Sequence, residues 1–339
     1  MLSLKSKIFV TGATGFLGSY IVRTLAEDGY ENIICLKRPE SRTDILDDIA
    51  DKVVWLEGDI LDVPFLSEAL IGVDCLIHAA AIVNFEPGNR KKMIQVASDG
   101  TANLVNMALE NHILKFVHIS SVAAIGRRKL KEDIDETKMF SHSKYDTTYG
   151  LSKFLAEQEV WRGHAEGLNV TILNPAMILG AGKWTTSSIQ IFEKVFKGLS
   201  HYPAGTTGWV DVRDVAVAAV NCVTEKFNGE RFIISAENLP YKVVLDNIAD
   251  GLNVKRTDKK VQMTFAGILW RIEAIRSFIT GEKPLITKET IQSTSVTSVY
   301  NHSKSVHVLG LTYRPVKDTV KEVCTLFLST YQRGSAVLG

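Results

Sequence analysis

Short apolar runs alternate with longer stretches of helical periodicity through the first half of the chain. The segments predicted as strands are 7–11, 32–37, 53–57, 74–78, 115–120 and 169–173. The helices predicted between them include 15–27, 93–110 and 149–165. Strands that alternate with helices are typical of a parallel sheet with helices on both faces. We therefore expect an α/β fold with a doubly wound parallel sheet, whose ligands bind beyond the carboxyl ends of the strands.

The alternation changes after residue 175, where glycines and tryptophans mark loops and short helices follow. One more strand, at 231–235, is expected to return to the sheet. Beyond it the chain is predicted to be mainly helical, with a last helix at 316–331. No Pro- or Ser-rich linker separates the two parts, so we expect them to pack together.

The charge balance is nearly even: 39 Lys and Arg stand against 38 Asp and Glu, for a formal net charge of +1 over 339 residues. This balance gives no broad positive field, so neither nucleic acid nor a membrane is expected as a partner. No uncharged apolar stretch approaches the roughly 18 residues of a membrane span. The four cysteines and eight histidines lack metal-binding spacings, so no metal site is predicted. We expect a cytoplasmic protein with free thiols.

Three glycines join the first predicted strand to the first predicted helix, in the sequence Gly12-Ala-Thr-Gly15-Phe-Leu-Gly18. Gly12 permits a sharp turn, Gly15 lets the backbone approach a pyrophosphate, and Gly18 lets the helix pack on the strand. The N–H groups at the start of the helix can then bind phosphate. This pattern predicts a dinucleotide site, with a glycine-rich turn that binds no ligand as the alternative. The residues expected to contact the cofactor here are Gly12, Thr14, Gly15, Phe16, Leu17 and Gly18.

Two cations, Lys37 and Arg38, stand at the end of the second predicted strand, where an acidic residue would bind the ribose hydroxyls of NAD. Both suit a 2′-phosphate, which Arg38 can contact in a bidentate manner. NADP is therefore preferred over NAD, with a solvated loop charge as the alternative. After the next two strands, an acidic side chain could meet the adenine, and small residues would let the backbone run close to the cofactor. The residues predicted there are Asp59, Ile60, Ala79, Ala80 and Ala81.

These signals divide the chain into two functional parts. Residues 1–175 are assigned to an NAD(P)-binding Rossmann domain, with 206–236 returning to it. Residues 176–205 and 237–339 are assigned to a smaller, mainly helical C-terminal lobe that binds a small-molecule substrate.

A Tyr-x-x-x-Lys spacing occurs three times, at Tyr149–Lys153, Tyr300–Lys304 and Tyr313–Lys317. Only the first pair opens a predicted helix, in which the four-residue spacing places both side chains on one face. That helix also follows a strand ending in Ser120-Ser121, at the sheet edge where substrates are expected. We interpret the two later pairs as chance matches.

Ser121, Tyr149 and Lys153 are the predicted catalytic residues. Reduction of a carbonyl by hydride needs a proton for the nascent alkoxide, and oxidation needs a base. A tyrosine with its usual pKa of about 10 is a poor base, but the Lys153 ammonium favours the phenolate. Ser121 would hold the substrate oxygen. Tyr149 and Lys153 are also assigned to the cofactor site, where Lys153 would reach the nicotinamide ribose.

The segments TGATGFLG, GDI, HAAA, HISS, YGLSK and NPAMILG occur in this order in the first 180 residues, followed by WVDVRDVA at 209–216 and LGLTYRP at 309–315. The chain resembles the extended short-chain dehydrogenase/reductase family, also called the NAD-dependent epimerase/dehydratase family. The resemblance implies a Ser/Thr–Tyr–Lys active site, placed here on the three residues above. The glycine of SSVAAIG favours Ser121 over Ser120 for the serine position.

The same resemblance indicates a branch. Asn174-Pro175 and Leu179-Gly180 stand where sugar-nucleotide members commonly carry Arg-Pro and Tyr-Gly, which is more similar to the dihydroflavonol reductase and hydroxysteroid dehydrogenase branch. Asn174 and Pro175 are also assigned to the cofactor site. Ala97 occupies a position where many relatives have Asn, so any role of that Asn must be filled otherwise. Relatives often pair through the helices predicted at 93–110 and 149–165, which implies a possible homodimer.

The substrate pocket is the weakest signal in the sequence. An apolar pocket with one polar group could be lined by Asn84, Phe85, Met177, Ile178 and Trp184. Ordinary packing is the alternative for each of them. Asp211, Arg213 and Asp214 are expected to hold a loop by ion pairing, and the stretch 265–278 is expected to dock on the body as an amphipathic helix.

The leading hypothesis is an NAD(P)-dependent oxidoreductase that interconverts a carbonyl and a secondary alcohol on a small, fairly apolar substrate. Tyr149 would be its proton donor and acceptor. The second hypothesis is a nucleotide-sugar epimerase or dehydratase with a retained cofactor. The third is a dinucleotide-sensing protein without turnover, against which the complete Ser–Tyr–Lys set argues.

Overall fold

Strands and helices alternate in the computed structural model, which describes residues 2–82, 90–126, 133–140, 143, 145–185, 188–224, 226–261 and 288–336. The strands are β1 (Lys7–Thr11), β2 (Asn32–Lys37), β3 (Val53–Glu57), β4 (Cys75–His78), β5 (Lys115–Ile119), β6 (Val170–Pro175), β7 (Met177–Leu179), β8 (His201–Tyr202), β9 (Thr206–Asp211), β10 (Glu230–Ile234), β11 (Glu237–Pro240) and β12 (Lys259–Lys260). The α-helices are α1 (Phe16–Glu27), α2 (Val63–Ala69), α3 (Arg90–Glu110), α4 (Thr148–Ala165), α5 (Gln190–Phe196), α6 (Val212–Asn221), α7 (Tyr241–Gly251), α8 (Lys288–Thr294), α9 (Ser303–Leu309) and α10 (Val316–Ala336).

A seven-stranded parallel sheet forms the centre of the molecule, in the order β10-β6-β5-β4-β1-β2-β3. The strand order reverses between β1 and β4, which is the point where open α/β sheets bind their ligands. The predicted doubly wound sheet is confirmed, including the return of a late strand, β10, beside β6. Nearly every side chain of β4, β5 and β6 is buried, as expected for parallel strands covered on both faces.

Helices cover the two faces of the sheet through separate apolar layers. On one face, Ile21 and Leu25 of α1 pack with Val215 and Ala219 of α6. On the other face, α2, α3 and α4 cover β1, β4, β5 and β6 through side chains such as Leu104. The periodicity that predicts the helices at 15–27, 93–110 and 149–165 therefore reflects burial against this sheet.

The part of the chain after β6 contains more strand than its sequence suggests. A three-stranded sheet has the order β11-β9-β7, and β8 pairs with β12. A third apolar layer joins α5, α7 and α10 through residues such as Phe192, Leu245 and Phe327. The segment 206–236 contributes to both sheets, because β9 pairs with β7 and β11 while β10 joins the central sheet. The division into a cofactor domain and a substrate lobe stays a prediction.

The junction between β9 and α6 is fixed by the acidic residues of WVDVRDVA. Asp211 accepts a hydrogen bond from the hydroxyl of Thr319 on α10 at 2.9 Å and is paired with Arg213 at 2.7 Å. Asp214 accepts the backbone N–H of Arg314 at 2.8 Å and is also ion-paired with its guanidinium. These residues hold segments of the fold together, as their predicted structural role requires. Within the described residues, every helix is too short or too polar to cross a lipid bilayer.

Candidate active site

The turn between β1 and α1 leaves no room for side chains at two of its glycines. Gly12 has a φ of +77°, and a Cβ atom there would lie 2.6 Å from the backbone nitrogen of Ala80. A Cβ atom at Gly18 would overlap the carbonyl oxygen of Gly12. Gly15 precedes α1 and supplies no side-chain cap to the N–H groups of the first turn. The turn therefore has the form of a phosphate-binding loop.

A cavity of about 420 Å³ opens beside this turn, at the carboxyl ends of β1 to β4. Most of the residues predicted to bind the cofactor line it, namely Gly12, Thr14, Gly15, Lys37, Arg38, Asp59, Ile60, Ala79, Ala80 and Ala81. The walls also contain residues that the sequence analysis did not single out, namely Leu36, Pro39, Glu40, Ser41, Gly58, Leu61, Ile82, Lys92 and Val96. Several of these flank predicted positions, whereas Lys92 and Val96 come from the start of α3, which no motif marks.

The other predicted cofactor residues do not line this cavity, and they are Phe16, Leu17, Gly18, Tyr149, Lys153, Asn174 and Pro175. Phe16 packs edge-on against Tyr20, with ring centroids 5.9 Å apart. The Asn174 side chain is turned to the backbone of Ser121. Cofactor contacts by these residues stay a prediction.

The two cations at the end of β2, Lys37 and Arg38, both have acidic neighbours. Nζ of Lys37 lies 2.5 Å from Oε2 of Glu57, its register partner on β3. Nε of Arg38 lies 3.2 Å from Oε1 of Glu40, and the Arg38 side chain is 53% exposed. Exposed pairs contribute little free energy, so the guanidinium can exchange Glu40 for a phosphate at small cost. Arg38 is therefore better placed than Lys37 to meet an anion in the cavity.

Thr11 and His78 connect the glycine turn to the small residues after β4. Oγ1 of Thr11 lies 2.7 Å from Nδ1 of His78 and accepts the backbone N–H of Ala80 at 3.2 Å. The other ring nitrogen of His78 lies 3.0 Å from Oγ1 of Thr101 on α3. Burial lowers the pKa of His78 to about 3, and the charge of Lys153 adds to this effect. A neutral His78 thus orients Thr11, and Thr11 in turn holds the backbone of Ala80 in the cavity wall.

The structure brings the three predicted catalytic residues together at the end of β5. The side chain of Thr147 caps α4, which begins at Thr148. Tyr149 therefore lies in the first turn of the helix. Nζ of Lys153 donates to the carbonyl oxygen of Ile119 at 2.8 Å. The hydroxyl of Ser121 interacts with that of Tyr149 and favours its ionised form.

Burial sets the protonation of this group. Burial raises the pKa of Tyr149 above its usual value, and the hydrogen bond with Ser121 opposes the rise. Burial lowers the pKa of Lys153 to about 8, and the carboxylate of Glu157 opposes the fall. At neutral pH the lysine is therefore protonated and the tyrosine is neutral. This is the state in which a tyrosine can give a proton to an alkoxide.

A buried polar cluster lies behind these residues, and the sequence analysis missed it. Glu157, one helical turn after Lys153, is fully buried, and its Oε2 is ion-paired with Arg231 of β10. Its Oε1 accepts hydrogen bonds from the hydroxyl of Ser120 at 2.5 Å and from Nδ2 of Asn174 at 2.6 Å. The four-residue spacing after Lys153 is a local signal for Glu157. No local signal marks Arg231, because it lies 74 residues further along the chain.

Three of the predicted substrate residues lie in the part of the chain after β6. Met177 and Ile178 belong to β7, and both are partly buried. The ring of Trp184 meets the ring of Phe327 edge-on, with centroids 5.0 Å apart. Packing of this kind agrees with the alternative interpretation, in which Trp184 is an ordinary packing residue. Asn84, Phe85 and the stretch 265–278 lie outside the described residues.

The two later Tyr-x-x-x-Lys pairs have structural contacts. Nζ of Lys304 lies 2.6 Å from Oε2 of Glu230 and donates to the carbonyl oxygen of Arg231 at 2.9 Å. The hydroxyl of Tyr313 lies 2.7 Å from that of Ser305, before α10 begins. These contacts agree with the interpretation of both pairs as chance matches.

Comparison with known proteins decides the family. A family model described as the NAD dependent epimerase/dehydratase family matches residues 8–235. The chain belongs to this family.

A putative dihydroflavonol 4-reductase of Synechocystis sp. is 28% identical over 336 residues, covering 96% of each chain. Sterol demethylase protein B of Methylococcus capsulatus is 31% identical over 68% of this chain and 69% of that protein. Cinnamoyl-CoA reductase 1 of Petunia hybrida is 29% identical over 63% and 67% of the two chains.

Solved structures agree with the membership of the epimerase/dehydratase family. A crystal structure described as gox2253 superposes with a TM-score of 0.82 at 28% identity, covering 96% of this chain and 99% of that chain. The UDP-glucose 4-epimerase of Thermotoga maritima superposes with a TM-score of 0.77 at 19% identity, covering 96% and 99%. The second likeness is one of fold. The expected resemblance to extended short-chain dehydrogenases/reductases is confirmed.

The cavity fits the dinucleotide for which the epimerase/dehydratase family is named. Its glycine turn has no space for a Cβ atom at Gly12, so the backbone itself forms the wall that a pyrophosphate would contact. Its far end holds Arg38 beside Ser41, and its inner end lies next to the wall fixed by Thr11 and His78. NAD(P) binding is thus consistent with this chain's own residues as well as with its family.

Proposed function

We propose that this protein is an NAD(P)-dependent oxidoreductase that interconverts a carbonyl and a secondary alcohol on a small, fairly apolar substrate. The observation that carries the proposal is the convergence of Tyr149, Ser121 and Lys153 at the end of β5, where Ser121 opposes the rise that burial causes in the pKa of Tyr149 and Lys153 donates to the carbonyl oxygen of Ile119. Reductases among the relatives, named for dihydroflavonol and cinnamoyl-CoA, support NAD(P)-dependent reduction of a small organic molecule. We infer that the substrate is an aromatic carbonyl compound.

The chain's own residues supply the proton and hold the substrate. The hydroxyl of Ser121 binds the carbonyl oxygen and keeps it beside the hydroxyl of Tyr149. Tyr149 donates its proton to that oxygen in reduction and takes it back in oxidation. The positive charge of Lys153 stabilises the phenolate that remains. Bound NAD(P) supplies or accepts the hydride.

NADP is the cofactor that we propose, in preference to NAD. The half-exposed Arg38 lies in the cavity wall and has only the exposed Glu40 as its acidic partner among the described residues. A 2′-phosphate carries more negative charge than Glu40 and matches the planar guanidinium. The end of β2 holds no carboxylate that would bind the two ribose hydroxyls of NAD.

We also propose a homodimer formed through the outer faces of α3 and α4, which lie side by side on one face of the sheet. A cytoplasmic location completes the proposal. The four cysteines are buried free thiols, which is the usual state in a reducing compartment.

Replacement of Tyr149 by Phe tests the proposed reaction. We expect Tyr149→Phe to lower NADPH-dependent reduction at least about a hundredfold, because positioned proton transfer typically contributes that much. The measurement is the absorbance of the reduced nicotinamide during turnover of a panel of aromatic ketones. Tyr331→Phe, on the exposed side of α10, is the control and should keep full activity.

Unchanged activity of Tyr149→Phe on an accepted substrate would contradict the mechanism. Turnover of a nucleotide sugar without net consumption of NADPH would instead show the epimerase or dehydratase hypothesis to be correct. Cofactor binding without turnover of any compound would favour the sensor hypothesis.

A further inference from the structure

Glu157 is a charged residue in the protein interior that has no part in the reaction steps above. It is fully buried on α4, and its counter-ion Arg231 is nearly so, at 9% side-chain exposure. Burying both charges costs desolvation energy, and an apolar pair of similar size often stabilises a protein as well or better. Stability alone is therefore a weak explanation for the Glu157–Arg231 pair.

The first consequence of this pair concerns Lys153. The four-residue spacing on α4 puts Lys153 and Glu157 on one helix face, a turn apart. Burial favours loss of the Lys153 proton, which would end its influence on Tyr149. The carboxylate of Glu157 is the one charged group among the described residues that opposes this effect. Its negative charge thus acts on the reaction through the lysine.

The second consequence concerns Ser121. Nδ2 of Asn174 donates to Oε1 of Glu157 at 2.6 Å and to the carbonyl oxygen of Ser121 at 2.8 Å. The same Oε1 accepts the hydroxyl of Ser120 at 2.5 Å. Both serines at the end of β5 are therefore tied to one buried carboxylate, either directly or through one amide.

We propose that Glu157 is a positioning residue: its negative charge, one helical turn from Lys153, favours the ammonium form of that lysine, and its carboxylate holds the Ser121 backbone through Asn174, while Arg231 balances its charge. The importance of this arrangement rests on the proposed function. The hydrogen bonds of Glu157 and its charge one turn from Lys153 are present whatever the substrate is, which allows a test without turnover.

Several charged or titratable groups surround Lys153 and Glu157, namely Tyr149 on α4, His78 on β4, His118 on β5 and Arg231 on β10. Burial lowers the pKa of both histidines well below neutral, so they remain uncharged throughout the range where Lys153 titrates. Burial raises the pKa of Tyr149 above that range. A change in the Lys153 titration after substitution of Glu157 therefore reports the lost carboxylate and its unbalanced partner Arg231.

The experiment is an NMR titration of the full-length protein labelled with ¹³C at the lysine Cε. The Lys153 signal is assigned by its absence in Lys153→Met. We expect the wild-type signal to titrate at about pH 8. In Glu157→Gln the midpoint should fall by at least about one pH unit, because a neutral amide replaces the attracting charge and leaves Arg231 unbalanced. Glu159→Gln removes a carboxylate from the outer side of the same helix and should leave the midpoint in place.

A midpoint in Glu157→Gln equal to that of the wild type overturns the proposal. If the single variant does not fold, the double variant Glu157→Gln with Arg231→Met removes both charges and is read in the same way. Its midpoint should also fall, because it lacks the carboxylate that opposes burial. The lysine titration is independent of Tyr149→Phe activity, so failure of this proposal and failure of the proposed reaction are separate results.

Discussion

Two neighbouring cations, Lys37 and Arg38, have different environments although the sequence presents them as equivalent. Parallel pairing of β2 with β3 sets Lys37 opposite Glu57, and the two side chains form an ion pair at 2.5 Å. Arg38 lies one residue beyond β2 and has its sequence neighbour Glu40 as partner. The ion pair with Glu57 thus engages the Lys37 ammonium, whereas the Arg38 guanidinium stays available to a ligand in the cavity.

The proposed preference for NADP over NAD depends on Arg38. We expect Arg38→Ala to weaken NADPH binding about tenfold to a hundredfold and NADH binding by much less, because a charge-assisted hydrogen bond is worth about 1.5–3 kcal/mol. Titration of nicotinamide fluorescence with both cofactors measures the two affinities. Arg256→Ala, which removes a distant exposed arginine paired with Asp250, should change neither. Equal losses for NADPH and NADH would show that Arg38 does not contact the 2′-phosphate.

At the scale of elements, the junction of β9, α6 and α10 depends on Asp211. Its side chain accepts the backbone N–H of Arg213 at the start of α6 and the hydroxyl of Thr319 from α10. Burial alone would raise the pKa of Asp211, but the hydrogen bonds from Arg213 and Thr319 outweigh it and leave the pKa below its usual value. One ionised carboxylate therefore joins three elements of the fold.

We expect Asp211→Asn to lower the free energy of unfolding by about 1.5–3 kcal/mol at pH 7, the usual contribution of a hydrogen bond to a charged group. Because the folded pKa is below the unfolded value of about 3.9, the carboxylate contributes its full stability above that pH. The contribution is lost as the pH falls through the folded pKa. Urea unfolding of both proteins should give curves that differ at pH 7 and converge in acid.

Asp258→Asn, at an exposed site paired with Lys255 at 3.6 Å, is the matched control and should unfold like the wild type at both pH values. A constant difference between Asp211→Asn and the wild type from neutral to acid pH would mean that the ionised carboxylate is not the source of the stability.

The elements of the central sheet could be predicted because their signals are local. Strands such as 7–11 and 32–37 are short apolar runs, and the glycine turn after the first one has a fixed spacing. The three-stranded sheet β11-β9-β7 could not be predicted, since β7 is only three residues long and its partners are distant in sequence. The ion pair between Glu157 and Arg231 could not be predicted either, because it joins a helix to a strand 74 residues further along the chain, whereas Tyr149 and Lys153 share one helix.

At the scale of the whole molecule, the outer face of α4 carries apolar side chains that remain partly exposed to solvent. Leu151, Phe154 and Leu155 recur at helical spacing on the side opposite to Lys153 and are only partly buried. Phe140 stacks on Phe154 with ring centroids 4.5 Å apart. This face is the surface through which we propose that two copies associate.

We expect light scattering to give twice the chain mass of 37.5 kDa for the wild type and a single mass for Leu155→Arg, because a charge in the centre of an apolar interface is costly to desolvate. Leu326→Arg, at an exposed leucine on α10, is the control and should remain dimeric. A wild type with the mass of one chain, or a dimer that survives Leu155→Arg, would contradict this interface.

The ion pair between Glu157 and Arg231 has a consequence for the order in which the chain is made. Glu157 is synthesised 74 residues before its counter-ion Arg231. Arg231 lies on β10, which is the last strand of the central sheet along the chain. A nascent chain that has reached β6 holds the parts of the nucleotide site but has an open sheet edge and an uncompensated interior charge. Completion of the central sheet therefore waits for synthesis of the segment that follows α6. A fragment cut after residue 175 should aggregate or require a chaperone, whereas the full-length chain should not.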